Sequence, residues 1–171
     1  IMSTFKIPLN YFNKSSIELE IKNIGNIKDC SIKQSDTPGS VRVIVSCPGE
    51  LTSEELEGIK KAFPQIELFG VKIRFEYAKK THVSIKVKAN VDSISDEASQ
   101  KKEIYDNIYE ILTRNKINYN ISLDEIRKAA LKIDSVQSVE ISGTNVLGDC
   151  ILCDGDGYIL LDNLEVELYE C

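Results

Sequence analysis

Tryptophan is absent from this 171-residue chain, which has one histidine, one methionine and four prolines. A lone histidine, His82, leaves no basis for a His-rich metal site or an imidazole relay. No apolar run approaches the roughly 20 residues a helix needs to span a bilayer. The start, IMSTFKIPLN, lacks the apolar segment of a signal peptide, and Ile1 ahead of Met2 reads as the cut end of a longer chain or a cloning remnant. There is no Walker loop, GxGxxG or GxSxG, and no basic cluster interleaved with aromatics. These absences point away from nucleotide hydrolysis, dinucleotide binding, esterase chemistry, nucleic acid and membranes.

What is present is ordinary for a globular protein: 42% apolar and 28% charged residues. The length allows two units, each with a modest core. Five cysteines, an odd number without framework spacing, fit a reduced, intracellular site of synthesis. Cys30 and Cys47 sit in apolar surroundings and read as small core hydrophobes. The net charge of −6 is uneven. Residues 1–80 carry 12 basic and 10 acidic side chains, and residues 81–171 carry 9 and 17. The acidic second part argues against nucleic acid or an anionic membrane as partner. The asymmetry would let one half dock on the other half of a neighbouring copy.

The organising stretch is Ile121 to Ile141, ISLDEIRKAALKIDSVQSVEI. Ser122 and Glu125 have capping-box spacing, and Ile121 with Ile126 has that of a hydrophobic staple. Ile126, Ala129, Ala130 and Ile133 fall on one helical face, Asp134-Ser135 breaks the helix, and Val136, Val139 and Ile141 follow as a strand. Ser16 to Ile32 can be laid over Glu125 to Ile141 without a gap. Ile17 then meets Ile126, Ile21 meets Ala130, Ile24 meets Ile133, Ile27 meets Val136, Cys30 meets Val139 and Ile32 meets Ile141. This reads as a weak internal repeat of a helix-turn-strand unit. Gly25, in the place of Asp134, suits a helix C-cap.

Taken in order, residues 1–14 form a polar arm. A helix is expected at 16–24, strands at 28–34 and 41–47, a helix capped by Thr52 and Glu55 and stopped by Pro64, and a strand at 71–77. Residues 15–80 thus form a first αββαβ unit, and 81–171 a second, βααββ. The second has a long strand to Val91, a helix over 99–114 capped by Ser95 or Asp96, a helix at 123–133, and strands at 136–142 and 158–169. The predicted class is α+β: two small α/β sandwich-like units, with mostly antiparallel sheets and helices packed on one face.

Few residues suggest chemistry. Cys150-Ile151-Leu152-Cys153 has redox-pair or half-zinc-site spacing. It lacks a helix N-terminus and a second ligand pair, so structural cysteines are expected. Asp154-Gly155-Asp156-Gly157 is similar to the start of a calcium loop, but strand residues follow it and a hairpin turn is expected. His82 opens a strand with no nucleophile motif beside it. Glu54-Glu55 belongs to a helix first turn, where the dipole favours acids. No catalytic, cofactor-binding or metal-binding residue is assigned, no cofactor is expected, and the chain does not read as an enzyme.

With the elements placed, the order resembles the baseplate J-like proteins of contractile phage tails and related particles. TPGSVRVIVSCPG is similar to that family's "pGtV.VyV" strand. LTSEELEGIKKAF and LFGVKIRFEYA are similar to the helix and strand that follow it. Thr81 to Val91 matches an alternating strand. The helix 99–114 with Ile121 to Ile141, and then DGYILLDNLEVEL, resemble the family's later elements. Asp134-Ser135 stands where the family has Pro-Gly or Gly, and the family's N-terminal part is missing, so the chain corresponds to the C-terminal part. The resemblance implies a structural wedge protein made in the bacterial cytoplasm and assembled into a tail or tail-like particle. Its partners would be other baseplate proteins and further copies of itself, with no small-molecule substrate. The alternative is a ferredoxin-like small-molecule-binding regulatory module. That reading wants a glycine-bearing loop after the first strand, and Val91 to Ser95 has none.

Overall fold

The computed structural model describes residues 14–63 and 72–171. Residues 1–13 of the expected arm, the Pro64 helix stop and Val71 at the start of the 71–77 strand lie outside them; Lys14, expected as the last residue of the arm, opens the first helix instead. The chain divides between Lys79 and Lys80 into two compact units.

The first unit contains α1 (Lys14–Lys22), β1 (Asp29–Gln34), β2 (Ser40–Ser46), α2 (Ser53–Lys61) and β3 (Lys72–Tyr77). Its sheet has the order β1-β2-β3. β1 runs antiparallel to the centre strand β2, and β3 runs parallel to it. A parallel pair needs a crossover, and α2 supplies one. Alternation on β2 turns Val41, Val43 and Val45 into a core with Ile17, Ile21, Cys30, Ile32, Ile59 and Phe63. Burying each aliphatic side chain of this kind stabilises by about 1.5–3 kcal/mol.

The Thr52 capping box forms in both directions: the Glu55 amide donates to Thr52 Oγ1 at 3.2 Å and the Thr52 amide to Glu55 Oε1 at 3.4 Å. Glu55 also accepts from the Asn26 amide at 3.1 Å. One carboxylate thus ties the start of α2 to the turn after α1. Gly25 lies beneath it with φ +42°, and a Cβ there would sit 2.2 Å from Glu55 Oε2. Gly25 is not the helix C-cap expected of it: α1 ends at Lys22, and Gly25 lies three residues beyond, in the turn that follows.

The second unit contains β4 (Lys80–Val91), α3 (Glu97–Leu112), β5 (Ile121–Ser122), α4 (Leu123–Leu131), β6 (Val136–Gly143), β7 (Val146–Leu147), β8 (Cys150–Ile151) and β9 (Tyr158–Glu170). The main sheet is β6-β4-β9, with β6 antiparallel and β9 parallel to the centre strand. A small antiparallel sheet, β5-β8-β7, stands apart from it. Every second residue of β4 from Thr81 to Val91 is buried, and the residues between face away from that core. α3 packs on β9 and α4, and α4 packs on β6. Asp96 caps α3, accepting from the Ser99 amide at 3.2 Å.

The α+β class is as the sequence predicts. Periodicity did not reveal that each main sheet contains one parallel pair, because alternation sets a residue's face and not its strand's direction. Two further local expectations are corrected. Ser122 makes no side-chain cap. It is drawn into β5 opposite Cys150, and Glu125 turns to an ion pair with Arg114. The Asp154–Gly157 segment is a tight turn, with the Gly157 amide donating to the Asp154 carbonyl at 2.8 Å. It is not a hairpin: β8 before it and β9 after it belong to different sheets.

Candidate functional site

The cysteine pair is built into structure. Cys150 sits in β8 between Ser122 and Leu147. Cys153 follows that strand, and its amide donates to Asn120 Oδ1 at 2.9 Å. Burial pushes the Cys153 thiol up, against the lowering effect of backbone hydrogen bonds at Tyr119 and Asn118. A raised thiol is a poor thiolate source and a slow nucleophile. Among the described residues, no group of three or more His, Cys, Asp or Glu side chains could hold a metal ion.

His82 Nδ1 lies 2.8 Å from Asp162 Oδ1, and both side chains are half exposed. Asp162 is the extra residue where the β4–β9 register skips between Val83 and Ser84. A bulge aims such a side chain off the regular ladder, which lets Asp162 reach the histidine. Of the acidic pair at the start of α2, Glu55 is held below the usual carboxylate range, chiefly by the Asn26 amide and further by Thr52.

The surface with the most developed side-chain order is the second main sheet's face away from its core. Register places Ser142, Lys86 and Glu165 in one row across β6, β4 and β9. The next rows hold Glu140, Lys88 and Glu167, then Ser138, Asn90 and Tyr169. Lys86 Nζ lies 2.9 Å from Glu167 Oε1, and the Tyr169 hydroxyl donates to Glu167 Oε2 at 2.8 Å. Lys86 is the main cause holding the Glu167 carboxyl low. Glu167 in turn holds Lys86 and Tyr169 high. Asn90 Nδ2 donates to Ser138 Oγ at 2.9 Å. The signal for this lattice is in the sequence, as Lys86-x-Lys88 and Glu165-x-Glu167, but only the strand register brings the two together.

The first sheet's equivalent face differs. Lys33, Arg42 and Arg74 form one row across β1, β2 and β3. Arg42 reaches Glu76 with Nε at 3.4 Å and with Nη2 as well.

In the two main sheets four strands, β1, β3, β6 and β9, have one strand neighbour each among the described residues. The 13 residues of β9 make the longest of these edges. An edge row of amides and carbonyls is a template for strand addition. Among the described residues, no helix is long and apolar enough to cross a membrane.

No protein-family model matches the chain, and no curated protein matches it. Its fold is similar to that of a chain in the 6-fold symmetrised cryo-EM structure of the anti-feeding prophage baseplate. The TM-score is 0.53 at 10% identity, and the match covers 88% of this chain. It spans 37% of the length of that chain. The prophage-baseplate likeness is therefore one of fold, and this chain corresponds to a part of its neighbour.

Proposed function

We propose that this protein is a structural component of the baseplate of a contractile phage tail, prophage or tail-like particle, and that it acts by assembly without a catalytic step. The observation that carries this reading is the fold match over 88% of the chain to an anti-feeding prophage baseplate chain. The sequence resemblance to the baseplate J-like family, reached through element order, supports the same conclusion at a finer level. In that reading the chain is the C-terminal part of a wedge protein, and its partners are other baseplate proteins and further copies of itself. The ordered polar face of the second sheet and the long edge of β9 suit recognition through surfaces.

Deleting the coding region in the source cells tests this. The expected result is loss of complete sheathed tails by electron microscopy, restored by supplying the gene in trans. Normal particle numbers and morphology in the deletion strain would overturn the proposal.

A further inference from the structure

The open edge of β9 is one-sided in charge. Its sequence, YILLDNLEVELYE, holds four acids, Asp162, Glu165, Glu167 and Glu170, and no base. In a parallel pair the bonds to the neighbour come from alternate residues, so the others in β9 turn amide and carbonyl away from β4. Among the described residues no backbone hydrogen bond closes that side along residues 159–170. A helix flanks this edge. α3 packs on β9 and α4 on β6, with β4 between the two strands, so the flank of α3 away from α4 is the flank over the open edge. Asn107 marks the side toward α4, because its Nδ2 donates to the Ala129 carbonyl at 3.3 Å. Tyr105 and Tyr109, each two residues from Asn107, lie about 160° round the helix from it. They stack there with ring centroids 5.5 Å apart. Tyr105 packs on the core, while Tyr109 is 45% exposed. Leu161 and Leu168 of β9 are partly buried at the margin of the same core. The unpaired edge of β9 thus has an aromatic shelf beside it.

We infer that the edge of β9, with Tyr105 and Tyr109 beside it, takes an extended segment of another protein in which apolar residues alternate with lysine or arginine. A strand added to an edge bonds through its main chain and turns its side chains alternately to the two faces. On the core face those side chains meet the tyrosine shelf and Leu168. On the outward face they lie beside Glu165, which is exposed, and Glu167, which already holds Lys86 at 2.9 Å. Charge commits the occupant. Two copies of β9 paired antiparallel about Val166 would set Glu165 against the partner's Glu167, and like charges directly opposite destabilise a sheet. The edge strand β6 offers nothing better, since its outward face carries Ser138, Glu140 and Ser142. A strand with cations at those places replaces repulsion by attraction, which selects the partner as well as holding it. The inference deepens the assembly reading, and rests on it for the partner being another protein of the particle.

The test is titration of the whole chain into fluorescently labelled synthetic peptides of roughly ten residues. One alternates lysine with valine and one alternates glutamate with valine. A third alternates lysine with proline, which keeps the charge but cannot pair as a strand. The expected result is that the lysine–valine peptide binds at least about tenfold tighter than the other two. Its affinity should fall about tenfold in Glu165→Lys and in Tyr109→Ala, both at exposed sites. It should change less than about threefold in Glu140→Lys, on the far strand of the same sheet. Hydrogen exchange read by mass spectrometry should slow on binding at β9 and stay unchanged at β6, and it reports the fold of each variant in the same measurement. No binding of the lysine–valine peptide overturns the inference, as do equal binding of all three, protection at β6 instead of β9, and indifference to both Glu165→Lys and Tyr109→Ala. A chain that self-associates with its β9 amides already protected overturns it too, since the occupant is then a second copy. Failure of these tests by a chain that is present in particles would leave the proposed function standing. Peptide binding by a chain absent from particles would sink the proposed function and leave the chemistry of the edge intact.

Discussion

In the first unit the edge strand β1 comes before the centre strand, whereas in the second unit β6 comes after it, beyond two helices. The sheets nevertheless have one plan. Each centre strand has an antiparallel neighbour preceded by a helix, a parallel neighbour on its other side, and a helix directly after it. The correspondence extends to single hydrogen bonds. The Ile24 amide donates to the Ile21 carbonyl and the Ile27 amide to that of Ile24. In the second unit, the Ile133 amide donates to Ala130 and the Val136 amide to Ile133. These are the residue pairs that the gapless sequence overlay matches. Cys30 and Ile32 lie opposite Val45 and Val43, as Val139 and Ile141 lie opposite Ala89 and Val87. A helix-turn-strand unit of this kind is a local packing solution that works wherever the chain inserts it. The units differ in what surrounds it: a two-way capping box in the first, an added small sheet in the second.

The largest expected effects fall on the shared core. Ile126 is 0% exposed and its counterpart Ile17 is 7% exposed. Ile126→Ala and Ile17→Ala should each cost about 2–5 kcal/mol, Ile126 the more, because a buried cavity is left. Urea unfolding of both variants checks this, and a cost under about 1 kcal/mol at either site would break the equivalence.

Next come the turn glycines. A Cβ on Gly143, φ +150°, would lie 2.2 Å from the Ser84 carbonyl oxygen, which is backbone and cannot step aside. One on Gly25 would meet the flexible end of Glu55. Gly143→Ala should therefore cost about 1–3 kcal/mol. Gly25→Ala should cost less, chiefly the strain of its positive φ and the loss of the Glu55 bond to Asn26. Thermal melts that rank the two variants the other way would contradict this.

The helix caps separate the units more finely. Thr52→Ala should destabilise by about 1 kcal/mol, because it removes a formed cap. Ser122→Ala should stay within about 0.5 kcal/mol, because no side-chain cap is lost. Equal costs in denaturant titrations would show that the Ser122 cap forms in solution.

The smallest effect at neutral pH is at Cys30, whose counterpart is Val139. Burial pushes the Cys30 thiol up to about 12 from its ordinary 9.0. A folded-state pKa raised in this way leaves stability intact below about pH 9, and the contribution is lost as pH climbs toward about 12. Cys30→Val, which makes the first unit resemble the second, should match wild type near pH 8 and lose less stability by pH 10.5. Parallel losses in both proteins would show that the thiol is not the alkaline weak point.

Much of this was legible in the sequence. Alternation at Val41 to Val45 and Val83 to Val91 marked both centre strands, and the 3.6-residue spacing of Ile104, Ile108, Ile111 and Leu112 marked the buried side of α3. Element order led to the baseplate resemblance. Sheet direction was not legible, since the side-chain period is the same in parallel and antiparallel strands. Nor was the β5-β8-β7 sheet, whose two-residue strands are too short to show any period. Ser122 misled because capping-box spacing is local, while its real partner Cys150 is far along the chain. The charged rows were in plain view as Lys86, Lys88, Glu165 and Glu167, but which side chains meet depends on a bulge at Val83 and Ser84 that no spacing announces.

Quantitative proteomics on contractile particles purified from the source cells tests the assembly reading most directly. The account predicts the chain in intact particles at a copy number that is a multiple of six, as in the 6-fold symmetrised baseplate that holds the chain of similar fold. Its absence from intact particles, with the protein free in the cell extract, would contradict the account and reduce the baseplate likeness to one of fold alone.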